Sequence, residues 1–140
     1  MPISLSLLTP QGFFLKEEVD HILLPTVEGP LGIEPGYTNI VTSLVKAGVL
    51  RIEKDGKPRF YAVFGGVCEV SKDHGCLIAC EEVNDGYEID MARAIAARDR
   101  NLDLINAKNS SDDVAKARIK LSKALARISA KELSLGKESN

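Results

Sequence analysis

The sequence predicts an α+β protein: a β unit of antiparallel strands, sandwich or barrel, followed by an antiparallel two-helix hairpin. Three observations predict it. Residue usage changes sharply near Tyr87: all 6 prolines, all 7 aromatic residues and 10 of the 11 glycines fall in residues 1–87, while 10 alanines follow that point and only 3 precede it. Short runs of alternating polar and apolar residues, separated by turn formers, fill the first part. Apolar residues at helical spacing, with no interior proline or glycine, fill the second. The two units are therefore residues 1–87 and 88–140.

The elements follow in order. Ser4-Leu5-Ser6-Leu7 alternates as a half-buried strand does, and Pro10-Gln11-Gly12 turns it into Phe13-Phe14-Leu15. Val19 to Leu24 reads as the next strand, stopped by Pro25. The stretch from Thr26 to Tyr37 holds three glycines and two prolines and reads as loop. Val49 to Glu53 alternates again, Asp55-Gly56 is a hairpin turn, and Arg59 to Phe64 returns. Gly65-Gly66 permits a bulge or close backbone approach. Val67 to Val70, a polar turn at Lys72 to Gly75, and Cys76 to Cys80 form a last hairpin.

The first helix is expected from about Glu88 to Asn106, with Met91, Ile95, Arg98, Leu102 and Ile105 as its inward stripe. Glu88 and Asp90 would sit in its first turn, where the helix dipole favours carboxylates. Lys108 to Ser111 is the break. Ser110 or Ser111 caps the second helix, and Val114, Ala117, Leu121, Ala124 and Ile128 face inward. Alanine buries little area, at about 25 cal/mol per Å². The hairpin is thus expected to be weakly held and able to change position.

Composition excludes several functions. The net charge is −2, less basic than a general nucleic-acid binder. Residues 1–87 carry 7 basic and 12 acidic side chains; residues 88–140 carry 11 and 8. No apolar run approaches the roughly 18 residues of a spanning helix. Residues 1–10 lack a basic stretch followed by an apolar one, so no secretory leader is expected. Three cysteines, an odd number, suit a reducing compartment.

No catalytic constellation is visible. His21 and His74 are the only histidines, and neither is paired by motif with a nucleophile or carboxylate. No phosphate loop or dinucleotide fingerprint occurs; Gly29, Gly32 and Gly36 fit neither and read as loop geometry. Cys68, His74, Cys76 and Cys80 match no common zinc spacing. Cys76 and Cys80, evenly spaced on one strand, read as small buried hydrophobes, so no metal is expected. Lys116, Lys120, Lys123 and Arg127 recur at spacings of 4, 3 and 4, one cationic stripe. It is either a solvated face or a surface for an acidic partner or polyphosphate.

Three stretches then carry a family resemblance. Leu23-Leu24-Pro25-Thr26-Val27-Glu28-Gly29-Pro30-Leu31-Gly32-Ile33-Glu34-Pro35-Gly36 resembles the LPT-x-x-G-x-LGI-x-PG stretch of epsilon subunits of bacterial and chloroplast F-type ATP synthases. Val63-Phe64-Gly65-Gly66-Val67-Cys68-Glu69-Val70 resembles their V-x-GG-x-x-EV stretch, and Glu88 to Ala94 resembles the start of their C-terminal domain. Order and spacing are kept across nearly the whole chain.

The resemblance implies a sandwich of about ten strands and a regulatory hairpin. It implies a non-catalytic rotor subunit of a proton- or sodium-translocating synthase. The sandwich would bind the gamma subunit and c-ring through residues such as Glu28, Pro30, Gly36, Tyr37 and Thr38. Tyr37 stands where some relatives have histidine, and Pro30 where some have an acid, so steric or aromatic contact is expected there. The hairpin would lie folded, or extend along gamma and block ATP hydrolysis by pressing Lys116, Arg118, Lys120, Lys123 and Arg127 against the catalytic beta subunits beside alpha. No cofactor is required. Regulatory ATP is implied by Ile89, Asp90, Arg93 and Ala94, which match [IL]-D-x-x-R-A, with Lys116, Lys123 and Arg127 on the second helix. Lysine cannot make arginine's bidentate phosphate contact. Without a ligand, Asp90 would instead cap the helix and pair with Arg93. The place implied is peripheral, on the cytoplasmic face of a bacterial plasma membrane or the stromal face of a thylakoid, with no insertion and no nucleic-acid partner. Two other classes share features: Gre-type transcription factors, whose hairpin comes first, and small zinc-binding proteins.

Overall fold

The structure is a computed structural model and describes residues 2–107 and 110–136. Ten strands are followed by two helices: β1 Ile3–Thr9, β2 Gly12–Val19, β3 His21–Thr26, β4 Gly29–Ile33, β5 Ile40–Ser43, β6 Gly48–Lys54, β7 Lys57–Phe64, β8 Val67–Ser71, β9 Gly75–Ala79, β10 Glu82–Asp85, α1 Met91–Asn106 and α2 Ser111–Ser134. The strands form two five-stranded sheets, β2-β1-β9-β8-β5 and β10-β7-β6-β3-β4. This is the sandwich rather than the barrel. One pairing departs from the antiparallel expectation, since β1 runs parallel to β9.

Alternation places Ile3, Leu5 and Leu7 of β1 inward, facing Ile22, Leu24, Leu50, Ile52 and Val63 of the other sheet's strands in one buried core. Asp55-Gly56 makes the tight turn between β6 and β7. Both residues have positive φ, 53° and 74°, the handedness that suits the strand twist. The sheets also meet at one edge: Glu17 of β2 pairs with Arg59 of β7 and Lys54 of β6.

Several expectations need correcting. The supposed loop from Thr26 to Tyr37 contains β4. Proline is tolerated there because β4 is an edge strand. Pro25 does not stop β3, because β3 pairs with β6 only through His21, Ile22 and Leu23. Val19 closes β2 instead of opening the next strand. It pairs with Ile3, and the Asp20 amide, bonding to Glu53 O at 2.8 Å, carries the chain to the other sheet. Cys80 lies one residue past β9.

The first helix begins at Met91, not Glu88, which belongs to a 3-10 turn at Gly86–Glu88. Asp90 is the N-cap of α1, accepting from the Arg93 amide at 3.1 Å. Ser110 caps α2, accepting from the Asp113 amide. Of the break, Lys108 and Asn109 lie outside the described residues. The inward stripe of α1 is also corrected: Leu102 is exposed, while Ala94 and Asn101 are buried. The contact face runs through Ala94 and Asn101, two turns apart, and Leu102 falls about 100° away from it; the buried Asn101 amide donates to Ala97 O at 2.7 Å. On α2, Ala117, Ala124 and Ile128 are buried as expected. Ala126, Ala130 and Ser134 are buried as well, because a second face of α2 rests on the sandwich.

That second contact is a separate cluster, formed by Ala62 and Phe64 of β7, Ile89, Ala94 of α1 and Ala126, Ile128 and Ala130 of α2. It is alanine-rich, so its apolar area is small. Its closest approach is at Gly86, where an added Cβ would lie 2.1 Å from Ser134 Oγ, 2.6 Å from Ala130 O and 2.7 Å from Phe60 O of β7. Lys131 Nζ donates to Tyr87 O beside it, at 2.6 Å.

Gly86→Ala should therefore lift α2 while sparing the sandwich, since overpacking of this kind costs about 1–3 kcal/mol. Amide exchange should accelerate across residues 111–134 and stay unchanged in the far sheet, across Ile3–Thr9 and Gly75–Ala79; equal acceleration in both would show that the two units do not separate.

Candidate functional site

A cleft of about 520 Å³ opens where the hairpin crosses the joined sheet edges. Phe14 of β2 and Glu82 to Asp85 of β10 form one wall. Glu88, Ile89, Asp90, Arg93, Ala94 and Ala97 form a second, and Ala124 and Arg127 of α2 close it. The topology explains the place: β2 and β10 are edge strands of their sheets, and the chain leaves β10 through the 3-10 turn at Gly86–Glu88 into α1.

Arg127 ties the cleft together. Its Nε donates to Asn84 Oδ1 and its Nη2 to Glu82 Oε2, both at 2.8 Å, and its guanidinium lies 4.7 Å from the Phe64 ring centroid. A planar guanidinium suits this fork-and-stack arrangement. Lys123 Nζ covers the same ring at 5.7 Å. Phe64 is thus buried under two cations. The cleft itself is acidic, with Glu82, Asp85, Glu88 and Asp90 against Arg93 and Arg127. Phe14 meets Tyr61 edge to face, with centroids 6.0 Å apart and planes at 88°. Burial pushes the Tyr61 phenol up, so it stays protonated beneath Phe14.

Of the residues singled out in the sequence, Ile89, Asp90, Arg93, Ala94 and Arg127 meet at this cleft. Lys116 does not; it is exposed further along α2. Lys123 instead borders a shallow depression with Lys46, Ala47 and Arg118. Arg118 and Lys120 are exposed. Glu28 lies in the β3–β4 turn and Pro30 is the second residue of β4, whereas Gly36, Tyr37 and Thr38 lie beyond the other end of β4. Tyr37 is anchored, its hydroxyl donating to Ser71 O at 3.0 Å.

The thiols of Cys68 and Cys76 point into the sandwich core with sulfurs 3.6 Å apart. That contact and burial together push the Cys76 thiol up, and burial pushes the Cys80 thiol up to about 11. His74 sits apart in an exposed turn. Sequence reasoning missed Phe14, Phe64, Glu82 and Asn84. Only the exposed-strand pair Phe13-Phe14 offered a signal, since an aromatic on an edge strand has no sheet neighbour to cover it.

The family model described as ATP synthase, Delta/Epsilon chain, beta-sandwich domain matches residues 2–85. The chain belongs to this delta/epsilon family. As a member it is a non-catalytic subunit of an F-type ATP synthase. The ATP synthase epsilon chain of Desulforamulus reducens is 38% identical over 128 residues, covering 91% of this chain and 96% of the relative. That of Herpetosiphon aurantiacus is 35% identical, covering 95% and 96%. Among solved structures, a chain of the Euglena gracilis mitochondrial ATP synthase, solved as OSCP, F1 and c-ring, superposes with a TM-score of 0.81 at 25% identity. It covers 96% of this chain and 81% of that one. A chain from the central stalk and c-ring of the Tetrahymena thermophila enzyme gives 0.61 at 19% identity and covers 91% and 95%; it shows the shared fold.

Arg127→Ala should loosen this delta/epsilon hairpin by about 1 kcal/mol, discounted for the exposure of the ion pair. Hydrogen exchange in α2 should rise roughly fivefold. No change in exchange would show that the alanine contacts hold the hairpin without it.

Proposed function

We propose that the chain is a rotor subunit of the central stalk that couples a proton- or sodium-driven c-ring to the catalytic head and brakes ATP hydrolysis with its hairpin. One observation carries this reading: the docked hairpin holds two of the five cations of its own row against the sandwich. Lys116, Arg118 and Lys120 face solvent, while Lys123 and Arg127 are held over Phe64. Undocking would bare the whole row for an acidic surface on the catalytic beta subunits beside alpha. The contact that must break is small and separate from the sandwich core. Two positions differing by only a few kcal/mol are what a switch of this kind needs.

The sandwich, residues 1–87, supplies the grip. Val41, Val67 and Leu77 project from the outer face of the β5-β8-β9 sheet, and Val41 is 78% exposed. These apolar side chains, set around the exposed Glu69, suit gamma. Glu28 and Pro30 at one end, and Gly36, Tyr37 and Thr38 at the other, would serve the c-ring and gamma separately. Residues 88–140 form the brake. None of the described helices is long and apolar enough to cross a membrane. The place we assign is peripheral, on the cytoplasmic or stromal face.

Regulatory ATP belongs to the same reading. The cleft has the size of a small-ligand site, roughly 300–1,000 Å³. A nucleotide there would touch β10, α1 and α2 together and so favour the docked hairpin. Arg93 and Arg127 are the residues to hold it, without help from Lys116.

Removing residues 88–140 should raise ATP hydrolysis by the assembled complex severalfold; unchanged hydrolysis would end the brake. Val41→Glu should abolish co-purification of the chain with gamma at unchanged thermal stability, because so exposed a position carries no packing. Full recovery of gamma would move its seat elsewhere.

A further inference from the structure

We propose that the depression where the β5–β6 loop meets α2 is a binding site for a small oxyanion of the phosphate class, and that its occupancy holds the hairpin docked. The depression measures about 140 Å³ and is lined by Lys46 and Ala47 of the loop and by Arg118, Ile119, Ser122 and Lys123 of α2. It shares no lining residue with the cleft. That volume admits a compact anion and not a nucleotide, since sites for larger ligands run to roughly 300–1,000 Å³.

The charges point to an anion. Three cations line the depression and no carboxylate does. Arg51, Lys54, Arg59, Arg98 and Arg127 each pair with a carboxylate, whereas among the described residues Lys46, Arg118 and Lys123 form no ion pair. Lys123 has only the Phe64 ring beneath it, at 5.7 Å. Lys46 belongs to the sandwich and the other two to the hairpin, so docking itself brings like charges together. The apolar Ala47 and Ile119 beside them lower the local dielectric and strengthen that repulsion.

A bound oxyanion reverses the sign of this term. It accepts charge-assisted hydrogen bonds from an arginine and two lysines in place of their mutual repulsion. Because its ligands come from both units, the complete site exists only in the docked position, and the anion acts as a clamp. The site needs only the docked hairpin, whatever that hairpin does in the complex.

Equilibrium dialysis of the full chain against radiolabelled inorganic phosphate, with ionic strength held constant by chloride, tests this. Wild type should bind one phosphate per chain with a dissociation constant on the order of millimolar. Lys46→Gln and Arg118→Gln, both at exposed positions, should each weaken binding about fivefold or more. Lys120→Gln removes an exposed cation of the same helix outside the depression and should leave binding unchanged. Phosphate at about ten times its dissociation constant should slow amide exchange across residues 111–134 about tenfold. Lys46→Glu supplies the anion covalently, so it should bind no phosphate and should slow exchange in α2 without it.

No saturable binding at tens of millimolar phosphate would overturn the site. So would Lys120→Gln weakening it as much as Lys46→Gln, which is charge attraction without a site. Capture of the chain by phosphatidylglycerol vesicles, lost in Lys46→Gln and with no uptake of free phosphate, would assign these cations to a lipid headgroup and overturn it too. Phosphate binding that leaves exchange in α2 unchanged, or exchange in Lys46→Glu no slower than in wild type, would overturn the clamp.

Discussion

Helix α2 rests on the outer face of β7, and almost every functional feature of the chain follows from that seat. It brings Ala126, Ala130 and Ser134 down onto Ala62, Phe64 and Gly86, where only small groups fit. It swings Arg127 onto Glu82, Asn84 and Phe64. It closes the cleft whose other walls are the sheet edges and the start of α1. Without it, Phe64 would lose its cover, the cleft one wall, and the cationic row its mask.

The seat is built to be adequate rather than strong. Alanine contacts bury little apolar area, and the ion pair of Arg127 with Glu82 is part-exposed, where such pairs contribute at most about 1 kcal/mol. The sandwich core is different in kind. Leucine, isoleucine and valine from both sheets interdigitate there, and Ile3, Leu5, Leu7 and Ile52 are essentially inaccessible to solvent. A firm body with a lightly seated arm separates two tasks. The proposed brake needs that division: a body that keeps its shape and an arm that can change position at modest cost.

The same geometry explains why charge alone describes the hairpin poorly. Residues 88–140 are net basic, yet the cleft they help to form is acidic, because β10 and the 3-10 turn contribute carboxylates to it. A basic helix face and an acidic cleft coexist because Arg127 points toward the sandwich while Lys116 and Lys120 point to water. Folding thus sorts the cations of one helix into two populations, one held against the sandwich and one in solvent.

Much of this was legible in the residues themselves. Alternation in Ser4 to Leu7 and Val49 to Glu53, the Asp-Gly turn, the Ser110 cap and the buried Ala117, Ala124 and Ile128 all rest on interactions between near neighbours, which spacing records. The family motifs brought Ile89, Asp90, Arg93, Ala94 and Arg127 to attention, and they do meet. What the sequence could not determine was every pairing between distant segments. The parallel match of β1 with β9, the strand hidden among the prolines of β4, the burial of Asn101 in place of Leu102, and the placing of Phe14 and Arg127 on one cleft all depend on which surfaces come to face each other. Those choices are made by the packing of whole layers, and no local period encodes them.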